Sequence, residues 1–214
     1  MITFDLTDNG ADLTRAAAMA IIGGKLGQTS KMPGQSHGLS ADRCKTGGKL
    51  AQVPGSTCSI CYAQNGNYIF PSVRIGHERR YEGLQHPRWV GAMVRLLEGE
   101  TFFRWNDSGD LQNVQHLAKI AAVAFLTKKV RHWVATRESE ILRQYVKKVG
   151  AVPDNLIIRL SATMIDGPAP RWWPWTSSVT AGEASCPAPR QDHKCGGCRT
   201  CWDKAITTVS YQKH

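Results

Sequence analysis

Residues 101–163 read TFFRWNDSGDLQNVQHLAKIAAVAFLTKKVRHWVATRESEILRQYVKKVGAVPDNLIIRLSAT. Three short runs rich in aromatic and β-branched residues, 101–105, 130–135 and 156–160, read as strands. Two longer stretches between them, 111–127 and 138–149, place apolar residues at helical spacing. Strands alternating with helices of ten or more residues make βα units, and βα units make a parallel sheet. The units are too few to close an eight-fold barrel. The expected fold is therefore α/β, a partial (βα) barrel or an open, mainly parallel sheet, with cysteine-rich irregular segments at both ends.

Upstream of this core, 74–83 and 87–98 read as helices, the second carrying Trp89, Met93, Leu96 and Leu97 on one face. Residues 2–4 suit a short strand or arm and 16–20 a helix. Residues 25–57 are rich in Gly, Ser and Lys and show no clean period. A loop that long is usually functional or held by something other than a core. Downstream, 164–185 mixes Pro168, Pro170 and Pro174 with Trp172, Trp173 and Trp175 and reads as a loop leading into 176–180, and 205–211 reads as a last strand. The expectation is a single domain over 1–214, with a cluster-binding loop at 25–63, a βα core at 64–163 and a cysteine-rich segment at 164–214.

The chain has 214 residues, 42% of them hydrophobic, which is enough for one substantial core. No run is long and apolar enough to span a membrane, and the layout of a secretory signal is missing, so a cytoplasmic protein is expected. Twenty-seven basic residues against 17 acidic ones leave a formal charge of +10. That balance favours an anionic partner, nucleic acid or another anionic substrate, although the basic residues are dispersed rather than blocked.

Seven cysteines in such a chain point to metal or redox chemistry rather than a disulfide scaffold. They form two sets. The rear set is Cys186, followed by Pro187, with Cys195, Cys198 and Cys201 in a Cys-x-x-Cys-x-x-Cys run. Three sulfurs from one tight turn and a remote fourth match the corners of a 4Fe-4S cubane. Zinc, tetrahedral on four thiolates, is the alternative at this site. The front set is Cys44, Cys58 and Cys61, with thirteen residues between the first two. Three thiolates suit a cubane with one open iron, or zinc with one water. A thioredoxin-like redox pair is the rival, but that motif opens a helix after a strand, and here 53–57 reads as loop. One cluster or two are thus expected. His37 and His193 stand near the two sets in sequence as candidate extra ligands, although a surface position is the commoner fate of a lone histidine.

In open α/β sheets, ligands sit at the carboxyl ends of the strands. Three strand ends here are polar: Asn106-Asp107-Ser108-Gly109-Asp110, Thr136-Arg137 and Ser161-Ala162-Thr163. Together they suggest a pocket facing the front cysteines, with Asn106, Asp107, Ser108, Asp110, Arg137 and Ser161 as its candidate cofactor-binding residues. Asp110 taken alone reads better as the cap of a helix starting at Leu111. The tryptophans beside Arg171 could stack bases, but covering a sheet edge or packing the rear cysteines is the preferred reading.

The core Cys58-Ser59-Ile60-Cys61-Tyr62-Ala63, on a loop ahead of βα units, resembles the cluster loop of radical S-adenosylmethionine enzymes. Ile60 stands where that motif has an aromatic residue, the gap before Cys58 is longer, and Asn106-Asp107-Ser108 replaces a Gly-Gly-Glu segment. The motif order is more specifically similar to a phage family called gene product 88. The order is Lys25-Leu26-Gly27, the Cys58–Ala63 core, Ser108-Gly109-Asp110, Cys186-Pro187-Ala188, then the cysteine run closing on Trp202. The resemblance implies a phage-encoded iron–sulfur protein of radical-SAM-like architecture. It implies that Cys44, Cys58 and Cys61 hold an open cubane and that S-adenosylmethionine is the candidate ligand. Two function classes follow: a radical enzyme acting on nucleic acid or nucleotide, or a non-enzymatic binding or regulatory protein stabilised by a cluster or by zinc.

Overall fold

The computed structural model describes residues 6–213. The proposed strand at 2–4 falls outside the described residues. The three strands read from residues 101–163 lie side by side and parallel: β3 (Phe102–Trp105), β4 (Arg131–Thr136) and β5 (Leu156–Ile165). Around them, β1 (Gly27–Gln28), β2 (Gln35–His37), β6 (Thr176–Thr180) and β7 (Thr208–Gln212) complete a seven-stranded sheet. Strand order follows chain order from β1 to β7, and every neighbouring pair is parallel except β1–β2. The sheet is open, so the expected α/β class holds in its open-sheet form.

Six α-helices accompany it among the described residues: α1 (Arg15–Ile21), α2 (Thr46–Leu50), α3 (Pro71–Gly83), α4 (Trp89–Leu96), α5 (Val114–Leu126) and α6 (Ser139–Val149). Period-two alternation splits each central strand between two faces. Phe103, Trp105, Val134, Leu156, Ile158 and Leu160 join the larger core with the apolar sides of α1, α4, α5 and α6. Trp133, Ile157 and Val209 face the other way and pack with Cys201 and Trp202.

That second face is covered by the connections late in the chain. The crossovers β3–β4 and β4–β5 carry α5 and α6, but the stretches after β5 and β6 contain no α-helix. The β6–β7 connection holds the rear cysteines and lays a single-turn 3-10 helix, Thr200–Trp202, on the sheet. Arg159 of β5 anchors it. This fully buried guanidinium donates to the carbonyls of Thr176, Thr200, Cys201, Asp203, Ile206 and Thr207. Carbonyl dipoles thus replace a carboxylate in compensating the charge.

Three expectations are corrected. Residues 25–57 are not wholly irregular, because β1 and β2 lie within them; β2 is held by its pairing to β3. The helix expected at 111 starts at Val114, capped by Asn113, whose side chain accepts from the His116 amide at 2.8 Å. β5 runs to Ile165, so Ser161 lies within the strand and not beyond its end.

Candidate metal centre and strand-end pocket

The front loop is tied down over the carboxyl ends of β3, β4 and β5. Thr57 donates its amide to the Thr163 carbonyl at 2.9 Å, and Ser56 bridges to Met164. Arg137, just past β4, reaches Thr57 Oγ1 through Nε at 2.8 Å. Glu138, 5% exposed, accepts from Thr46 twice, from the amide at 2.8 Å and from the hydroxyl at 2.7 Å. That clamp fixes the chain two residues after Cys44. Asp110, also 5% exposed, joins the β3 and β4 ends: Oδ1 accepts from Leu111 N and Thr136 Oγ1, and Oδ2 from Arg137 N at 2.9 Å. The carboxylate is drawn across the sheet rather than into a helix cap, which corrects the expectation for Asp110.

Cys44 and Cys58 lie side by side around Gly47, and Cys61 is in electrostatic reach of both. A Cβ built on Gly47 would lie 3.5 Å from Cys58 Sγ and 3.7 Å from Cys44 Sγ, so this glycine closes a cradle around two of the sulfurs. Burial raises the Cys44 thiol far above its usual range, with Asp110, Cys61, Cys58 and Glu138 adding to the shift. Burial also raises Cys58, against the pull of Arg137. Asp110 is itself pushed up by burial to about 6. The Cys44 and Cys58 thiols therefore stay protonated unless a cation takes the proton's place, which is the behaviour of a metal-linked thiol.

The Asn106–Ser108 stretch follows β3, and Tyr62, the residue after Cys61, donates its hydroxyl to the Asp107 carbonyl. Asn106 has a left-handed backbone, φ 61°, and is 4% exposed, with neither amide atom hydrogen-bonded among the described residues. The Ser108 hydroxyl is likewise buried and unpartnered among them. Asp107 also accepts from Tyr68, at Oδ2. Ser161 does not join the pocket: its hydroxyl pairs with that of Ser177 at 2.9 Å inside the sheet.

The rear set gathers on the second face. Cys201 Sγ lies 3.2 Å from the Tyr211 hydroxyl, and burial pushes its thiol up to about 11. Cys186 is in electrostatic reach of both Cys195 and Cys201, and Cys198 of Cys195. Cys198 Sγ lies 3.0 Å from Thr200 Oγ1. All seven cysteines are free thiols. In kind and grouping the donors fit thiolate ligation of three plus four. In spacing, no three His, Cys, Asp or Glu side chains among the described residues are close enough to hold one metal ion.

Neither histidine joins a cysteine set here. His37 is fully buried beside Trp89 and Trp105, and His193 is exposed on a left-handed turn. The tryptophans divide. Trp172 and Trp173 pack on the helix-side core, Trp172 under Arg143, while Trp175 packs on the rear segment and donates to the Lys204 carbonyl. Glu138 and Thr57, which do most to position the front loop, were not singled out in the sequence. Glu138 directly follows the polar strand end Thr136-Arg137, and that adjacency was the available signal.

Fold and site define a class: an open-sheet α/β protein with three free cysteines over its strand ends and four on its second face. The chain matches the family model described as Gene product 88 over residues 11–204 and belongs to the gene product 88 family. No curated protein and no solved structure matches it. No helix among the described residues is long and apolar enough to cross a membrane.

Proposed function

We propose that this phage protein binds iron–sulfur clusters: an open 4Fe-4S cubane on Cys44, Cys58 and Cys61, and a closed one on Cys186, Cys195, Cys198 and Cys201. One observation carries the reading. The fold sets the free thiols of Cys44 and Cys58 about Gly47, with Cys61 in electrostatic reach of both, and burial first, then neighbouring negative charge, opposes ionisation of Cys44 and Cys58. A cationic cluster reverses that penalty. Once bound, an open cluster can pass one electron to a ligand on its free iron.

The chain's own residues hold and shape the site. Glu138 fixes the Cys44 turn through Thr46, and Thr57 with Arg137 fixes the Cys58–Cys61 turn. The Asn106 amide and the Ser108 hydroxyl have hydrogen-bonding capacity free to orient a ligand carrying both donors and acceptors. S-adenosylmethionine, whose amine and carboxylate can chelate one iron, is the first candidate. Cleavage of that ligand and action on nucleic acid or nucleotide in the host cytoplasm make up the enzymatic form of the proposal, consistent with the +10 charge. The second reading, a non-enzymatic protein whose metal fixes the fold, is favoured by the way the rear segment covers the second face.

Metal and sulfide analysis of anaerobically purified protein tests the proposal. Iron and acid-labile sulfide in about equal amounts are expected for cubanes; zinc without sulfide would overturn it. Release of 5′-deoxyadenosine from S-adenosylmethionine after reduction separates the enzymatic reading from the structural one.

A further inference from the structure

Arg74 and His77 stand three residues apart on α3 and so share one of its faces. That face, the single-turn 3-10 helix Ala41–Arg43 after β2, and the loop between Cys61 and α3 enclose a cavity of about 130 Å³. Ser40, Asp42, Gln64, Tyr68, Arg74 and His77 are its polar lining. His77 is only 5% exposed, and its ring stacks on Tyr68 with centroids 6.1 Å apart. Tyr68 is fixed in turn by donating its hydroxyl to Asp107 Oδ2. Gly38 leaves room for this packing: a Cβ there would lie 3.3 Å from His77 Nε2 and 2.7 Å from Asp107 Oδ1. The imidazole makes no hydrogen bond among the described residues. Burial holds its pKa below the usual range, so the ring is neutral, with one nitrogen to donate and one to accept. A buried donor and acceptor thus line the cavity without a partner.

The rim carries opposite charges. Arg74 and Asp42 are exposed, and neither forms an ion pair among the described residues. Their neighbours Arg43 and Glu78, by contrast, pair with each other at 2.6 Å. The Asp42 carboxylate accepts from the Ser40 hydroxyl at 3.3 Å, and the Arg74 guanidinium has no hydrogen bond among the described residues. One guanidinium and one carboxylate therefore stand open on a single small cavity. Its volume is that of about four waters, well below a pocket for a whole nucleotide. A lone anion there would meet Asp42 and a lone cation would meet Arg74, whereas a molecule carrying both charges complements both. We infer that this cavity binds a small zwitterion of the α-amino acid kind, with its carboxylate on Arg74, its ammonium on Asp42 and a hydrogen bond to His77. The site uses none of the cysteines, so it stands whether or not they bind a cluster.

The test titrates the full chain with glycine and, separately, with acetate, methylamine and inorganic phosphate, following the side-chain N–H signals of Arg74 and His77 by nuclear magnetic resonance. Saturable shifts are expected with glycine, and binding about tenfold weaker with acetate or methylamine, each of which meets only one of the two charges. Arg74→Gln and Asp42→Asn lie on the exposed rim and should leave the melting temperature unchanged. Each should weaken glycine binding about three- to tenfold, the scale of one partly exposed charge contact. His77→Gln keeps a donor and an acceptor and should retain most of the affinity, whereas His77→Phe keeps the packing on Tyr68 and should lose it. Phosphate or acetate binding as tightly as glycine, and tighter still in Asp42→Asn, would make this an anion site and overturn the inference. Glycine binding that neither rim variant changes, or no saturable response to glycine, would overturn it as well. Iron and sulfide measured on the same preparation keep the two proposals apart: glycine binding by cluster-free protein counts against the cluster reading alone.

Discussion

Glu138 accepts both the amide and the hydroxyl of Thr46, at 2.8 Å and 2.7 Å, from a position 92 residues further along the chain. The contact ties the end of β4 to the turn that follows Cys44. Removing the carboxylate leaves a partly buried N–H and hydroxyl without acceptors, a loss of about 1–3 kcal/mol. Glu138→Ala should lower the melting temperature and, under the proposed ligation, weaken metal binding at the front site. Glu138→Gln keeps one acceptor and should fall between. An unchanged melting temperature in Glu138→Ala would show that the clamp does not hold the loop.

Arg159→Met should loosen the rear segment specifically. The substitution leaves carbonyls of residues 200–207 without this donor beneath a buried surface, and a buried acceptor left unsatisfied costs roughly 1–3 kcal/mol. Amide exchange should rise across the second-face segment and stay low in α5 and β4. Uniform loss of protection would place Arg159 in the global core instead.

Stability should fall in acid because of buried histidines, among them His37, which burial holds well below its usual range. Burial lowers His116 and His132 from 6.5 to about 3. His132 is locked neutral: Trp105 Nε1 donates to its Nδ1 at 3.1 Å, so Nε2 carries the proton toward Thr127 Oγ1 at 2.8 Å. The unfolded chain protonates these rings near pH 6.5 and the folded one resists until about pH 3. Their contribution is therefore complete above about 6.5 and is lost as pH falls through that window. Asp110 runs the other way. Burial raises it from 3.8 to about 6, so the stability it contributes is complete below 3.8 and lost as pH rises to about 6. Two wider windows outweigh one narrower one. Melting temperature followed from pH 7 to 4 should drop, and His132→Gln should flatten the drop. Parallel curves for parent and variant would contradict the assignment.

The central strands and helices were legible because β3, β4 and β5 each carry a run of large apolar residues and α6 a clean amphipathic period. β2 was not. Gln35-Ser36-His37 has no apolar alternation of its own and becomes a strand through its ladder to β3. β6, with its Thr, Ser and Val residues, is a strand because β5 and β7 flank it. Asp110 illustrates the limit for the site. Sequence adjacency favoured a cap at Leu111, while the acceptors it satisfies at Thr136 and Arg137 come from the next strand. Nothing in the sequence singles out Arg104 or Arg159, whose partners are distant in the chain and come only with the fold.

The measurement bearing most directly on the account is iron and acid-labile sulfide per chain in anaerobically purified parent, Cys58→Ser and Cys198→Ser proteins. The account predicts that the parent carries both elements, that Cys58→Ser remains folded with about half the iron of a two-cubane parent, and that Cys198→Ser is poorly soluble or unfolded. A parent free of iron and sulfide, with both variants as stable as it is, would contradict the account.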